Sequence, residues 1–323
     1  MKGLVSVIIP VYNNLHTVIR CLVSVRDQLY RDIEVLLIDD GSSDGTGYTV
    51  SKFCSWDSRF RYIRNIENMG VSYSRNKGLE NVRGKYIMFL DSDDYLYSDF
   101  IVTCLNEIGD SDLLISGMRL YSVKPNGIAK NLRVGAIEGK DIWRNAIDNK
   151  YLTGVIGGKL YTREVLKGTK FNNAIRFQED LDFNLRVLQN CKKVYLSDYI
   201  GYVYVKESSK KPDCISMVNN DILLYDLAGE NGISQEERSG ILTNIAKTIY
   251  TSIYWEDSEK SAESLAKMLL YETCLASLKD DFENRDMPHK ALICSIIKGS
   301  PERDIQKVRL RRKLSAIKHG WSL

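Results

Sequence analysis

The stretch Ile33–Thr46, IEVLLIDDGSSDGT, decides the fold. An aliphatic run broken only by Glu34 ends abruptly in Asp39-Asp40 and a Gly-Ser-Ser-Asp-Gly turn. A short run that is apolar on both faces is the mark of a parallel strand covered on two sides. The pattern returns in Gly84–Asp94, GKYIMFLDSDD, which ends in Asp91-Ser92-Asp93-Asp94. Each acidic cluster is therefore expected at the carboxyl end of a buried strand, where open α/β sheets place their ligands. Two like charges 4 Å apart cost about 4 kcal/mol at an effective dielectric of 20. A divalent cation, a proton or a hydrogen-bonded ligand relieves such crowding. A hard metal shared with a diphosphate is the economical choice, because magnesium-type ions take a few carboxylates plus phosphate oxygens.

Outward from these two stretches, Leu4–Pro10 (LVSVIIP) reads as a first strand stopped by Pro10. Leu15, Val18, Ile19, Leu22 and Val25 follow at helical spacing after Asn13-Asn14. Asp44 is placed to cap the next helix, Phe60–Arg64 is a third short strand, and Ser72 opens a helix carrying Arg75 and Asn76. Strand and helix in alternation imply a mostly parallel sheet with helices on both faces. Further on, Asp112–Val123 is strand-like, Lys140–Asp148 helical, and the region around Lys159–Tyr161 and Phe171 irregular. Gln178–Leu188 reads as a helix, Val194–Leu196 and Tyr199–Val205 as strands, and Lys206–Ser216, with Pro212, as a mobile loop. Beyond about Asn219 the strands cease. Ile222–Leu227, Ile241–Trp255, Ala262–Leu278 and Lys290–Ile297 favour helices. The expectation is an α/β domain over 1–215 and a helical extension over 216–323.

Composition excludes more than it selects. The 323 residues are 44% hydrophobic and 27% charged, ordinary for a globular chain, and a net charge of +3 gives no case for nucleic acid. Seven scattered cysteines without a C-x-x-C pair indicate neither a zinc site nor a disulfide framework. Three dispersed histidines make no metal site. The amino-terminal apolar run is too brief for a signal peptide, and no stretch approaches the roughly 20 apolar residues of a membrane span. A cytoplasmic protein with reduced thiols is expected.

An early strand-helix-strand unit with an acid after strand two invites a dinucleotide-binding reading, but that site needs glycines in its first turn. The turn here is Pro10-Val11-Tyr12-Asn13-Asn14. An aspartyl-phosphate phosphatase would need an aspartate after strand one, and a nucleotidyltransferase a glycine-rich basic loop there; neither is present. What remains is a site holding a nucleotide diphosphate through aspartates and metal.

Four segments in order carry a specific resemblance: VSVIIPVYNN (5–14), IEVLLIDDGSSDGT (33–46), ENMGVSYSRNKGLENVRGKYIMFLDSDD (67–94) and FQEDLDFNLRVL (177–188). Together they resemble family 2 of the inverting glycosyltransferases, of GT-A fold, over about the first two-thirds of the chain. GGKLYTREVLKGTKF (157–171) is similar to members that build bacterial capsule, O-antigen or exopolysaccharide. The resemblance implies a nucleotide-binding half over 1–95 and an acceptor half over 96–215. It implies a nucleotide-sugar donor, with UDP favoured, a glycan or lipid-linked glycan acceptor, and a divalent metal, Mn2+ or Mg2+.

It also implies roles. The Pro10-Val11-Tyr12 edge and Asp40 would hold the base, since a carboxylate suits the imide N–H of uracil. Asp39 would help the ribose or bind the following loop amides. Arg75 would pair with Asp91 or reach the nucleotide, while Asn76 is as readily structural. Asp91-x-Asp93 resembles the family's Asp-x-Asp signature: Asp91 and Ser92 beside the nucleotide, with Asp91 supporting the metal and Asp93 binding it. Asp94 is a further ligand or caps a helix entering at Tyr95. Gln178-Glu179-Asp180 resembles the motif that carries the base: Asp180 first, Glu179 as the alternative, Asp182 third. A helix N-terminus there favours the ionised form. Lys159 would contact a phosphate of donor or acceptor, or is an exposed lysine. Tyr199, Tyr202 and Tyr204 would wall an acceptor site or pack the strands, and His16 has no chemical duty. Arg303, Lys307, Arg309, Arg311, Arg312, Lys313 and Lys318, with Leu310, Leu314, Ile317 and Trp321 on one face, suit either a helix lying on the inner face of an anionic membrane or one packed on the protein itself. A non-catalytic nucleotide-sugar-binding partner of a membrane complex is the rival to the enzyme.

Overall fold

Val5–Val11 (β1) and Ile33–Asp39 (β2) are buried at every position, as their two-sided apolar pattern requires. The computed structural model describes residues 3–121, 127–131, 133–175, 177–205, 213–256, 259–273 and 275–319. The chain divides into two units, Met1–Lys210 and Lys211–Leu323.

In the first unit the remaining strands are Phe60–Arg64 (β3), Tyr86–Phe89 (β4), Tyr95–Leu96 (β5), Leu113–Tyr121 (β6), Gly127–Ala129 (β7), Gly135–Glu138 (β8), Lys159–Thr162 (β9) and Lys193–Val205 (β10). Its helices are Val18–Arg26 (α1), Thr46–Cys54 (α2), Val71–Asn81 (α3), Phe100–Glu107 (α4), Lys140–Asp148 (α5), Lys150–Gly154 (α6) and Glu179–Leu188 (α7). Among the described residues the strands form one sheet in the order β3-β2-β1-β4-β9-β6-β10-β5, with β7 on β6 and β8 on β10. The first four are mutually parallel. From β9 onward the sheet is mixed, for β9 runs antiparallel to both β4 and β6.

The local exceptions have physical causes. Glu34, the polar break in β2, is 2% exposed. Its carboxylate accepts from Ser6 Oγ, Gly84 N and the Arg83 guanidinium, so the charge is paired rather than stranded. Pro10 does not stop β1, which runs on to Val11. The amide it lacks would face β4, and β4 pairs only as far as Ile8 opposite Phe89. Tyr95 opens no helix: Tyr95-Leu96 is a two-residue strand, and α4 starts at Phe100. The two strands expected near 194–205 are one, β10, with register shifts between Leu196 and Tyr202. Asp44 sits one residue ahead of the α2 cap position, and its carboxylate accepts from Thr46 N.

The second unit is helical: Cys214–Glu230 (α8), Ser239–Trp255 (α9), Glu259–Glu272 (α10), Lys279–Glu283 (α11), Lys290–Ile297 (α12) and Glu302–His319 (α13). Leu242, Ile245, Ile249, Ile293 and Ile305 are fully buried within it. The helix expected over Ala262–Leu278 ends at Glu272, and a 3-10 turn follows at Leu275–Leu278. The Thr273 hydroxyl donates to Leu269 O and accepts from Leu275 N, drawing the backbone out of the helical ladder. On α13, Ile305 and Val308 are buried and Leu310 is 57% exposed. Trp321 and most of the loop expected at Lys206–Ser216 lie outside the described residues. No helix among the described residues is long and apolar enough to cross a membrane.

Candidate active site

The carboxyl ends of β1, β2 and β4 meet the N-termini of α3 and α7, and the acidic motifs converge there. Asp39 and Asp40 leave β2 and are 0% and 3% exposed. Asp39 Oδ1 accepts from Ser42 N at 2.9 Å and Oδ2 from the Tyr62 hydroxyl at 2.6 Å. It therefore binds the loop amide that follows it. Asp40 Oδ1 accepts from Asn65 Nδ2 at 2.7 Å and Met69 N at 3.0 Å, and Oδ2 from Gly70 N at 2.8 Å. Asp40 so fixes the entry to α3. Pro10 is buried, and Tyr12 beside it is 45% exposed. The following turn is tied down: Asn13 N donates to Ser42 Oγ at 3.0 Å, and Asn14 Nδ2 donates to Ser92 Oγ. Ser92 is 4% exposed, so it serves the turn as a hydrogen-bond anchor.

Arg75 joins the distant motifs. It is 2% exposed, so the surface alternative for it is excluded. Its guanidinium donates through NH2 to Asp91 Oδ1 at 2.8 Å and through NH1 to Asp180 Oδ1 at 2.6 Å, with Glu179 Oε1 at 3.4 Å. The ring of Phe171 lies beneath it, centroid at 5.3 Å. Phe171 stacks in turn on Phe183 of α7 at 3.8 Å, with Phe89 of β4 edge-on to both. Asn76 is structural: its amide exchanges hydrogen bonds with the backbone of Phe171, Nδ2 to O at 2.9 Å and N to Oδ1 at 2.8 Å. The ends of β2 and β4 flank β1, so Asp40 and Asp91 stand two strand spacings apart, roughly 10 Å.

Charge in this hollow is uneven. Burial pulls the Arg75 guanidinium down, but Asp180, Asp91 and Glu179 outweigh it and hold the group protonated. Asp180 is pushed up to about 7 by burial, against the pull of Arg75, with Glu179 and Asp91 adding to the rise and the Ile156 amide opposing it. One cation among three carboxylates leaves a net negative site. Asp182 turns aside to pair with Arg186 one helical turn on.

Asp93 and Asp91 lie on the turn after β4, half-exposed, Asp91 with 29% of its side chain open. They form an oxygen-only donor pair. No group of three metal-ligating side chains occurs among the described residues. Two carboxylates fit a magnesium-type ion whose other ligands are phosphate oxygens and water. Asp94 does not join them. It is 1% exposed, and its carboxylate accepts from the Tyr202 hydroxyl and from Val205 N at 2.7 Å, fastening the turn to β10. Burial, with Asp91 and Asp93 nearby, raises its pKa well above the usual carboxylate range.

Other expectations change. Lys159 is 1% exposed, so it is not a surface lysine; its ammonium donates to the carbonyls of Leu152 and Val155. Tyr202 is fully buried, while Tyr199 and Tyr204 are half-open and the Tyr199 hydroxyl donates to Asp99. Tyr62, Asn65, Asn184 and the Ile156 amide, which donates to Asp180 Oδ2 at 3.1 Å, had no sequence signal. Each is recognisable only by its partner.

Comparison with known proteins gives the family and the fold. The profile of Glycosyl transferase family 2 matches residues 6–168. An uncharacterized glycosyltransferase, EpsJ of Bacillus subtilis (strain 168), is 30% identical over 213 residues, which is 63% of this chain and 61% of EpsJ. The chain thus spans under two-thirds of that relative. Residues 1–349 of S. aureus TarS in complex with UDP superpose with a TM-score of 0.75 at 17% identity, over 98% of this chain and 91% of that one. The same region with UDP-GlcNAc gives 0.72 at 17% identity, over 98% and 92%. The fold is therefore GT-A, with a helical C-terminal region. From the four motifs, the sheet that gathers them and the profile match over half its length, the chain belongs to glycosyl transferase family 2.

Proposed function

We propose that the chain is an inverting, metal-dependent glycosyltransferase. It moves a hexosyl or N-acetylhexosaminyl group from a nucleotide diphosphate, UDP first among candidates, to a hydroxyl of a growing cell-surface polysaccharide or lipid-linked glycan. The observation that carries this is Arg75, whose guanidinium spans from Asp91 on the donor side to Asp180 on the other. UDP is favoured because the TarS structures contain UDP and UDP-GlcNAc.

In this reading Asp180 takes the proton of the acceptor hydroxyl as that oxygen attacks the anomeric carbon. The bond from that carbon to the diphosphate oxygen breaks, and the diphosphate leaves with the electron pair. Attack from the opposite face inverts the centre, with no sugar–enzyme adduct. A carboxylate pushed up to about 7 suits a base working near neutrality. Pro10, Tyr12 and Asp40 set the base-binding edge, Asp39 and Ser92 shape its loops, and Glu179 stands beside Asp180. Asp93 and Asp91 would hold Mn2+ or Mg2+, which when bound supplies charge neutralisation to the leaving diphosphate. Arg75 holds Asp91 and Asp180 in register until substrate oxygens compete for its donors.

An intracellular enzyme touching the inner face of the membrane through α13 completes the reading. Arg303, Lys307, Leu310 and Arg311 of that helix are exposed, a combination that suits anionic headgroups. The test is UDP release from UDP-sugars with Mn2+, with EDTA, and in Asp93→Asn and Asp180→Asn. Metal-dependent release lost in both variants is the expected result. Tight UDP binding without turnover across a broad acceptor panel would overturn it in favour of a binding protein.

A further inference from the structure

Lys159 opens β9 at 1% exposure, and a fully buried lysine is rare unless it has a defined partner. Its ammonium donates to Leu152 O and Val155 O, both in the turn that precedes Ile156. Asn184, one helical turn beyond Asp180 on α7, grips the same turn. Its Nδ2 donates to Thr153 O at 2.7 Å and Val155 O at 3.0 Å, while the Tyr161 hydroxyl donates to its Oδ1 at 2.7 Å. The carbonyls of 152, 153 and 155 are thus fixed by side chains, and the next amide, Ile156 N, is aimed at Asp180 Oδ2 at 3.1 Å. Gly157 lets the chain continue, since a Cβ there would lie 2.3 Å from the Tyr202 ring. The Gly157-Gly158-Lys159 segment therefore runs between Tyr202, which holds Asp94, and the turn that holds Asp180.

We propose that Lys159 is a positioning residue for Asp180, fixing the turn whose Ile156 amide holds that carboxylate and setting a second buried cation near it. The inference rests on the reading of Asp180 as the base. Charge supports it: burial draws the Lys159 ammonium down to about 7, and Asp180 opposes that fall. The groups facing Asp180 are Arg75 from α3, Asp91 after β4, Glu179 on α7, and Lys159 and Tyr161 on β9. Arg75 is the cation bonded to Asp180, and Lys159 when protonated adds to it, so loss of Lys159 makes Asp180 harder to ionise.

The experiment needs no acceptor. In the full chain with 13C-carboxyl-labelled aspartate, the Asp180 resonance, assigned by its loss in Asp180→Asn, is titrated in the parent protein and in Lys159→Met. The expected midpoint rises by about one pH unit, exchange of the Ile156 amide speeds about tenfold, and UDP affinity is unchanged. Should Lys159→Met fail to fold, Lys159→Gln, which keeps N–H donors without the charge, is read the same way. An unmoved midpoint and unmoved exchange in either folded variant overturn the proposal. Turnover retained in Asp180→Asn would instead overturn the base reading, and the titration stands apart from that result.

Discussion

Two groups of acids lie on either side of β1, and they hold their charge in opposite ways. After β2, Asp39 and Asp40 are held mainly by uncharged donors, namely backbone amides, the Tyr62 hydroxyl and the Asn65 amide, with the half-exposed Arg64 guanidinium 3.7 Å from Asp39. After β4 and at the head of α7, Asp91, Glu179 and Asp180 share the one guanidinium of Arg75. Neutral donors fix geometry and add no charge of their own. A shared cation leaves unspent negative charge, which a metal or a proton can answer. In the proposed reading the first group frames the nucleotide site, and the second is where the chemistry occurs.

The widest gap between the groups should appear in Asp180→Asn. Turnover of a UDP-sugar should fall about 10³-fold, with UDP affinity by calorimetry unchanged; a variant that still turns over removes the contrast. Next comes Arg75→Met. Three carboxylates then lose the one guanidinium that bridges them, and urea unfolding should show a loss of about 3–5 kcal/mol. Asp39→Asn should cost less, about 1–3 kcal/mol, in stability with little change in the KM for donor. If the KM moves more than the unfolding midpoint, Asp39 belongs with the chemical group after all.

The smallest effect is with pH. Because Asp180 must be ionised to accept a proton, kcat/KM should rise with pH through about 7. Stability should run the other way. The folded-state pKa is raised above the unfolded one, so the protonated acid's contribution is full below the unfolded pKa and is lost as pH rises through about 7. A flat rate profile in a protein whose thermal midpoint still follows this trend would separate the base role from the burial.

How much of this was written in the sequence follows the range of each contact. β1, β2 and β4 were legible because a doubly covered strand needs apolar residues in succession. The acidic clusters were legible because they end those runs. Arg75 was marked by its motif, yet its partner Asp180 is 105 residues away, and no local pattern encodes such a pairing. For Lys159 the sequence leaves a phosphate contact and an exposed lysine both open, and burial removes only the second; the carbonyls that satisfy it are backbone, which sequence does not distinguish. Asp94 reads as a further ligand or a helix cap because β5 is too short to register as a strand, and its tie to Tyr202 spans 108 residues.

Gln178, the residue from which α7 departs, adopts the left-handed conformation at φ 59°, where glycine would be at ease and a side chain costs about 1 kcal/mol. Replacing it with glycine should therefore loosen the joint, because the hinge would tolerate many departure angles instead of one.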